Sequence, residues 1–237
     1  GDRIVTVEGD TIAGVGISNE EVISKLKGGR GTKVEVGVFR RGVDELLHFT
    51  ITRDVIPTYS VDTAFIPIDS TGYIKLSKFS ATTYQEMKAA LEELQQEGIN
   101  KLILDLRGNS GGYLQAAINL SDEFLKNEQL IVYTEGKNRP RKFAYATAQG
   151  FFEKKPVAIL IDEGSASASE IVAGAVQDND RGIIVGRRSF GKGLVQEQIR
   201  FNDKSALRLT VARYYTPTGR SIQRPYNDGK KEYYHDL

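Results

Sequence analysis

Three serines alternate with alanines in Glu163-Gly164-Ser165-Ala166-Ser167-Ala168-Ser169-Glu170, directly after an apolar run from Val157 to Ile161. The run has the length and β-branched content of a buried strand, and Ile171, Val172 and Ala175 recur after it at helical spacing. A serine on a sharp strand-to-helix turn projects its hydroxyl beyond the sheet end. There it lies beside the free N–H groups of a helix N-terminus, which can stabilise an oxyanion. The same serines also fit the plain role of helix caps. A nucleophilic hydroxyl needs a base within hydrogen-bond reach. The two histidines are poorly placed, His48 inside the strand-like Leu46-Leu47-His48-Phe49 and His235 in a tyrosine-rich tail. A neutral lysine is the other option. Burial has to lower its pKa from ~10.4 toward ~7–8, at a cost of roughly 4 kcal/mol. Lys192, in Ser189-Phe190-Gly191-Lys192-Gly193-Leu194-Val195-Gln196, suits that demand. Two glycines let the main chain approach closely, and Phe190, Leu194 and Val195 can exclude water.

Lys192 also fits a different chemistry. Gly186 to Lys192 matches the first part of the phosphate loop G-x-x-x-x-G-K-[ST], and Asp105 ends the apolar run Leu102-Ile103-Leu104. The next residue is Gly193, so the magnesium-binding hydroxyl is missing. Leu194 to Ile199 alternates like a strand, and without a helix the loop loses the dipole that binds phosphate.

The 237-residue chain is 40% hydrophobic and 27% charged, a globular profile of one or two domains with ample length for a core. A formal net charge of +1 suggests neither nucleic acid nor an anionic membrane as partner. With no cysteine, a disulfide scaffold, a thiol nucleophile and cysteine-ligated metals are excluded. No apolar run reaches the length of a membrane span, and no signal peptide is visible. The chain opens on Gly1 in a strand-like segment, which reads as a fragment without its upstream part and any targeting signal.

The elements that must position the serine and lysine fall into two parts. Residues 1–53 form a small unit. It has a strand at Ile4 to Val7, a helix from Glu20 to Lys27 capped by Ser18 or Asn19, and a hairpin of Lys33 to Phe39 with Leu46 to Thr52. Asp54 to Ser70 holds Pro57 and Pro67 and reads as a linker with an extended edge segment. Residues 54–237 then alternate strands with helices, which indicates an α/β layered core. Strands are expected at 72–77, 101–106, 130–134, 157–161, 182–186, 194–199 and 207–214. Helices are expected at 82–97, 112–126 and 170–177, with 135–153 irregular.

Four motifs resemble one family, the serine-lysine carboxyl-terminal processing peptidases, also called tail-specific proteases. They are Asp105-Leu106-Arg107-Gly108-Asn109-Ser110-Gly111-Gly112, the serine turn, the Lys192 segment and Tyr214-Tyr215-Thr216-Pro217-Thr218-Gly219-Arg220-Ser221-Ile222-Gln223. The first 53 residues resemble the second half of a bacterial PDZ domain whose carboxylate-binding loop would lie upstream. The resemblance implies a crotonase-like β/α spiral core with a partial PDZ module. It selects Ser167 as nucleophile and Lys192, 25 positions later, as base, leaving Ser165 and Ser169 as caps and turn formers. It implies that Gln196 orients the lysine amine, since positions 192 and 196 of one strand face the same side. The N–H of Ala168 and one N–H from Gly111 or Gly112 would form the oxyanion hole, with Arg107 and Asn109 bracing that loop. No metal or organic cofactor is implied. The implied substrates are proteins with exposed C-terminal tails, met in the cell envelope or outside the cell. A catalytically silent relative, a binding or scaffold protein that keeps the fold, is the rival reading, although Ser167 and Lys192 are both present.

Overall fold

The computed structural model describes residues 1–55 and 59–225, and the expectations for Pro57, His235 and the end of the tail lie outside them. The chain divides into two units at Thr58/Tyr59, five residues beyond the boundary read from the sequence.

The first unit is built from β1 (Arg3–Val7), β2 (Asp10–Thr11), α1 (Asn19–Leu26), β3 (Lys33–Phe39) and β4 (Leu47–Thr52). Its sheet runs β2-β1-β3-β4, antiparallel throughout. Val34, Val36 and Val38 alternate along β3 and join Val7 in a small core. Ser18 caps α1 in a capping box with Glu21. Arg53 closes the other end of the helix, donating to the carbonyls of Lys25, Leu26 and Lys33.

The second unit contains β5 (Val61–Ile68), β6 (Thr71–Leu76), α2 (Thr83–Gln96), β7 (Lys101–Asp105), α3 (Leu114–Asp122), β8 (Leu130–Gly136) and β9 (Arg139–Tyr145). These are followed by β10 (Val157–Ile161), α4 (Ala168–Asp178), β11 (Ile183–Gly186), β12 (Leu194–Arg200) and β13 (Ala206–Tyr215). One sheet runs β11-β10-β7-β6-β5, with β5 antiparallel at the edge and the other four parallel. Pro67 is tolerated in β5 because an edge strand needs only one side of its ladder. Ile74, Leu76, Leu102, Leu104, Val157 and Ile159 point from this sheet into the main core. There they meet Met87, Leu91 and Leu94 of α2, Ala117 and Leu120 of α3, and Ile171, Val172, Ala175 and Val176 of α4. Each such leucine or isoleucine withdraws about 1.5–3 kcal/mol worth of apolar surface from water. The mixed α/β class expected from the sequence is what forms.

A second sheet, β12-β13-β8-β9, is antiparallel. Its β9 corrects the expectation of an irregular 135–153. The strand carries Arg139, Pro140, Arg141 and Lys142 with almost every side chain exposed, so it has no buried face to produce an alternating pattern. Helix α3 starts at Leu114 rather than Gly112, because Gly112 pairs in a bridge with Phe79.

Candidate active site

The parallel strands β6, β7 and β10 end together, and the loops leaving β7 and β10 carry the residues singled out above. The β7 loop is fixed by Asn109, which is fully buried. Its amide donates to the Leu76 carbonyl at 2.8 Å, and its Oδ1 accepts the Gly111 N–H at 2.9 Å. Its own carbonyl accepts from Ala166 N and Ser169 Oγ on the serine turn. Asn109 therefore ties the glycine loop to the turn.

Ser165 and Ser169 are both buried and committed as donors, Ser165 Oγ to the Leu106 carbonyl at 2.8 Å and Ser169 Oγ to that of Asn109 at 2.9 Å. Ser167 is half-buried and occupies the N-cap position of α4 at φ +56°, a conformation that is strained for a residue with a Cβ. The turn is held in that shape from outside by its neighbours. Ala168 N, the first N–H of the helix, has no acceptor among the described residues.

Gly111 and Gly112 both need to be glycine. A Cβ at Gly111 would lie 2.8 Å from Ala168 N and from Ser167 Cβ, so this backbone packs directly on the serine turn. At Gly112 it would lie 1.9 Å from the Phe79 carbonyl oxygen. Their N–H groups differ in a way the sequence left open. That of Gly111 is consumed by Asn109, whereas that of Gly112 has no acceptor among the described residues.

Lys192 corrects two expectations. Its side chain is exposed rather than buried, and no hydrogen bond or ion pair reaches its Nζ among the described residues. It also precedes β12, which begins at Leu194, so strand alternation does not place it on the same side as Gln196. Its main chain, in contrast, is tightly held. The Glu170 carboxylate, 6% exposed, accepts Ser167 N at 2.7 Å and Lys192 N at 2.9 Å on one oxygen. Its other oxygen accepts Gly191 N at 2.6 Å and Ser189 Oγ at 2.7 Å. One carboxylate thus bridges the serine and the lysine loop. Sequence reasoning missed it, because an acidic residue in the first turn of a helix is ordinary and all its partners except Ser167 lie 19 to 22 positions away.

The same bonds dispose of the phosphate-loop reading. Arg187 N, Phe190 N, Gly191 N and Lys192 N all donate to protein acceptors, and the loop runs into a strand rather than a helix. His48 sits exposed on β4 in the first unit.

Gln196 is exposed on β12 and shares a cleft of about 510 Å³ with Phe79, Gly112, Tyr113, Gln198 and Arg208. Beneath the glycine loop, Asp105 is buried and accepts from Tyr73 Oη at 2.6 Å, Arg107 Nη2 at 2.6 Å and Lys75 Nζ at 3.3 Å. Lys75 also donates to the Arg107 carbonyl. Burial pushes the Asp105 carboxyl up, but the Arg107 and Tyr73 hydrogen bonds and the Lys75 charge outweigh it and hold it well below the usual carboxylate range. Arg107 thus braces the loop from a half-exposed position.

Residues 70–228 match the family model "Peptidase family S41". The chain is 40% identical over 228 residues to the carboxy-terminal-processing protease of Bartonella bacilliformis, covering 94% of this chain and 51% of that protein. It is 37% identical over 227 residues to the carboxyl-terminal-processing protease of Synechocystis, again covering 94% of this chain and 52% of the relative. The chain therefore spans about half the length of these relatives. Among solved structures, the photosystem II D1 C-terminal processing protease superposes with a TM-score of 0.63 at 32% identity, covering 94% of this chain and 60% of the other.

Proposed function

The chain belongs to peptidase family S41, and from that premise we propose that it is a serine endopeptidase cutting proteins near exposed C-terminal tails through an acyl-enzyme on Ser167. The observation that carries this reading is the setting of Ser167. It is held at a positive φ at the start of α4, beside the Ala168 N–H, which lacks an acceptor among the described residues, and the backbone of Gly111, the residue before Gly112, packs directly on it.

In this reading the peptide carbonyl enters with its oxygen between Ala168 N and Gly112 N. Gly112 is preferred to Gly111 because the Gly111 N–H is already bonded to Asn109. Neutral Lys192 takes the proton from Ser167 Oγ as it attacks the carbonyl carbon, and the leaving amine then receives that proton. Water, deprotonated by the same lysine, releases the acyl group. The Lys192 side chain is exposed, and a peptide bound over the serine turn shields it from water. Gln196, on the wall of the cleft that includes Gly112, steadies the amine once substrate has closed over it. The first unit is assigned as the second half of a PDZ-like module, and the cell envelope or exterior as the place where substrates are met.

Casein incubated with wild type, Ser167→Ala and Lys192→Ala across pH tests the reading. Cleavage by wild type alone, rising as a lysine deprotonates, is expected. Cleavage by Ser167→Ala at the wild-type rate would remove Ser167 as nucleophile.

A further inference from the structure

The β12–β13 ribbon carries a face of which the acyl-transfer reading uses only Gln196. Gln198 pairs directly with Arg208, and Gln196 with Thr210. Side chains of paired residues, and of residues two apart, lie on the same face of an antiparallel ribbon. Gln196, Gln198, Arg200, Arg208 and Thr210 therefore share one face, and it contains no carboxylate. The glutamate of β12, Glu197, lies on the opposite face and is engaged by Arg139 at 2.8 Å. Asp203, at the ribbon's tip, is occupied by Ser205 N and Oγ. Arg200 and Arg208 are exposed, and neither has an ion-pair or hydrogen-bond partner among the described residues.

This face is part of the reaction's surroundings. Arg208, Gln198 and Gln196 line one wall of the cleft whose other wall is Phe79, Gly112 and the exposed ring of Tyr113. Gly112 and Arg208 line one cleft of about 510 Å³. At about 3.3 Å per extended residue, a peptide whose scissile carbonyl lies at Gly112 would bring a side chain to Arg208 within about three residues of the cut bond.

We infer that Arg208, with Arg200 beside it, forms a subsite for a carboxylate on the substrate, an aspartate or glutamate within about three residues of the scissile bond. This deepens the proposed peptidase function and rests on it for the position of the scissile carbonyl. The guanidinium forms two parallel hydrogen bonds with a carboxylate, which glutamine cannot reproduce. Arg208 sits at the rim of a cleft and not in a closed pocket, so salt should weaken the preference.

The test uses fluorescein-labelled alanine-serine decapeptides in which one glutamate is moved along the sequence, each with its glutamine counterpart. Binding is read by fluorescence anisotropy on the Ser167→Ala chain, so that it does not depend on turnover. At one position, or two adjacent ones, glutamate should bind at least fivefold more tightly than glutamine at low salt. The ratio should fall toward one with Arg208→Gln. With Arg208→Glu, a lysine at the same position should become the preferred residue. Arg208 is exposed, and circular dichroism of each variant confirms that the fold is retained. An unchanged glutamate preference in Arg208→Glu, or no preference at any position, overturns the inference. Failure of the wild-type chain to cleave any of these peptides or casein would count against the peptidase reading, while the binding ratios would still decide the subsite.

Discussion

Two buried carboxylates hold this site, one mainly through cationic side chains and the other mainly through main-chain N–H groups. Asp105 sits under the glycine loop among the side chains of Arg107, Lys75 and Tyr73, and accepts a single main-chain N–H, that of Arg107. Glu170 sits between the serine turn and the lysine loop and accepts three main-chain N–H groups and one serine hydroxyl, with no cation paired to it among the described residues. An ion-paired carboxylate fixes where two side chains go. A carboxylate bonded to main-chain N–H groups fixes the path of the backbone itself. Asp105 thus supports a loop from below, whereas Glu170 sets the separation of Ser167 and Lys192. The first should matter mainly for stability and the second mainly for turnover.

Replacing Glu170 by alanine sharpens that contrast most. Four donors lose their acceptor, at roughly 1–3 kcal/mol for each that water cannot reach. Misplacement of the lysine by about 1 Å is expected to lower kcat by on the order of a hundredfold or more. Steady-state kinetics on the fraction that remains folded, with thermal melts alongside, separate the two losses. Asp105→Ala should reverse the balance. Stability should fall by roughly 2–4 kcal/mol, moderated by the exposure of Arg107, while kcat per folded molecule stays within about tenfold of wild type. Equal losses of kcat in both variants would end the distinction.

Acid unfolding probes the same pair from another side. Asp105 has a folded-state pKa below its unfolded value of ~3.9, so its contribution is complete above that value. It is lost as pH falls through the unfolded pKa toward the depressed folded one. Urea unfolding between pH 2 and 6 should show a steep decline below about pH 4 in wild type and a shallower one in Asp105→Asn. A parallel slope in the two proteins would mean that Asp105 is not the group responsible. The smallest effect belongs to Ser189→Ala, which removes one of the four donors to Glu170. About 1 kcal/mol or less of stability and a few-fold change in kcat are expected from the same assays.

The contrast also explains what could be read from the sequence. The strand, serine turn and helix from Val157 to Asp178 were legible because β10 is a short apolar run and α4 has a clear apolar period. Asp105 and Arg107 were visible as neighbours, two positions apart in one motif. Glu170 was not, since its significance comes from the N–H groups of Gly191 and Lys192, brought in by the return of the chain from β11. Strand β9 escaped notice because almost all of its side chains are exposed. The choice between Gly111 and Gly112 depended on where the Asn109 side chain folds back, which spacing does not encode. For Lys192 the sequence suggested burial from its apolar neighbours, but Gly193 and not the lysine side chain takes the buried position against the Gln223 side chain.

The central claim is that Ser167, and no other serine of the turn, is a nucleophile activated by Lys192. Labelling with a fluorophosphonate at a series of pH values, followed by peptide mapping, tests it without any knowledge of the natural substrate. The account predicts a single adduct on Ser167, formed faster as a lysine deprotonates, absent in Ser167→Ala and slowed at least a hundredfold in Lys192→Ala. An adduct on Ser165 or Ser169, or labelling that proceeds unchanged in Lys192→Ala, would contradict it.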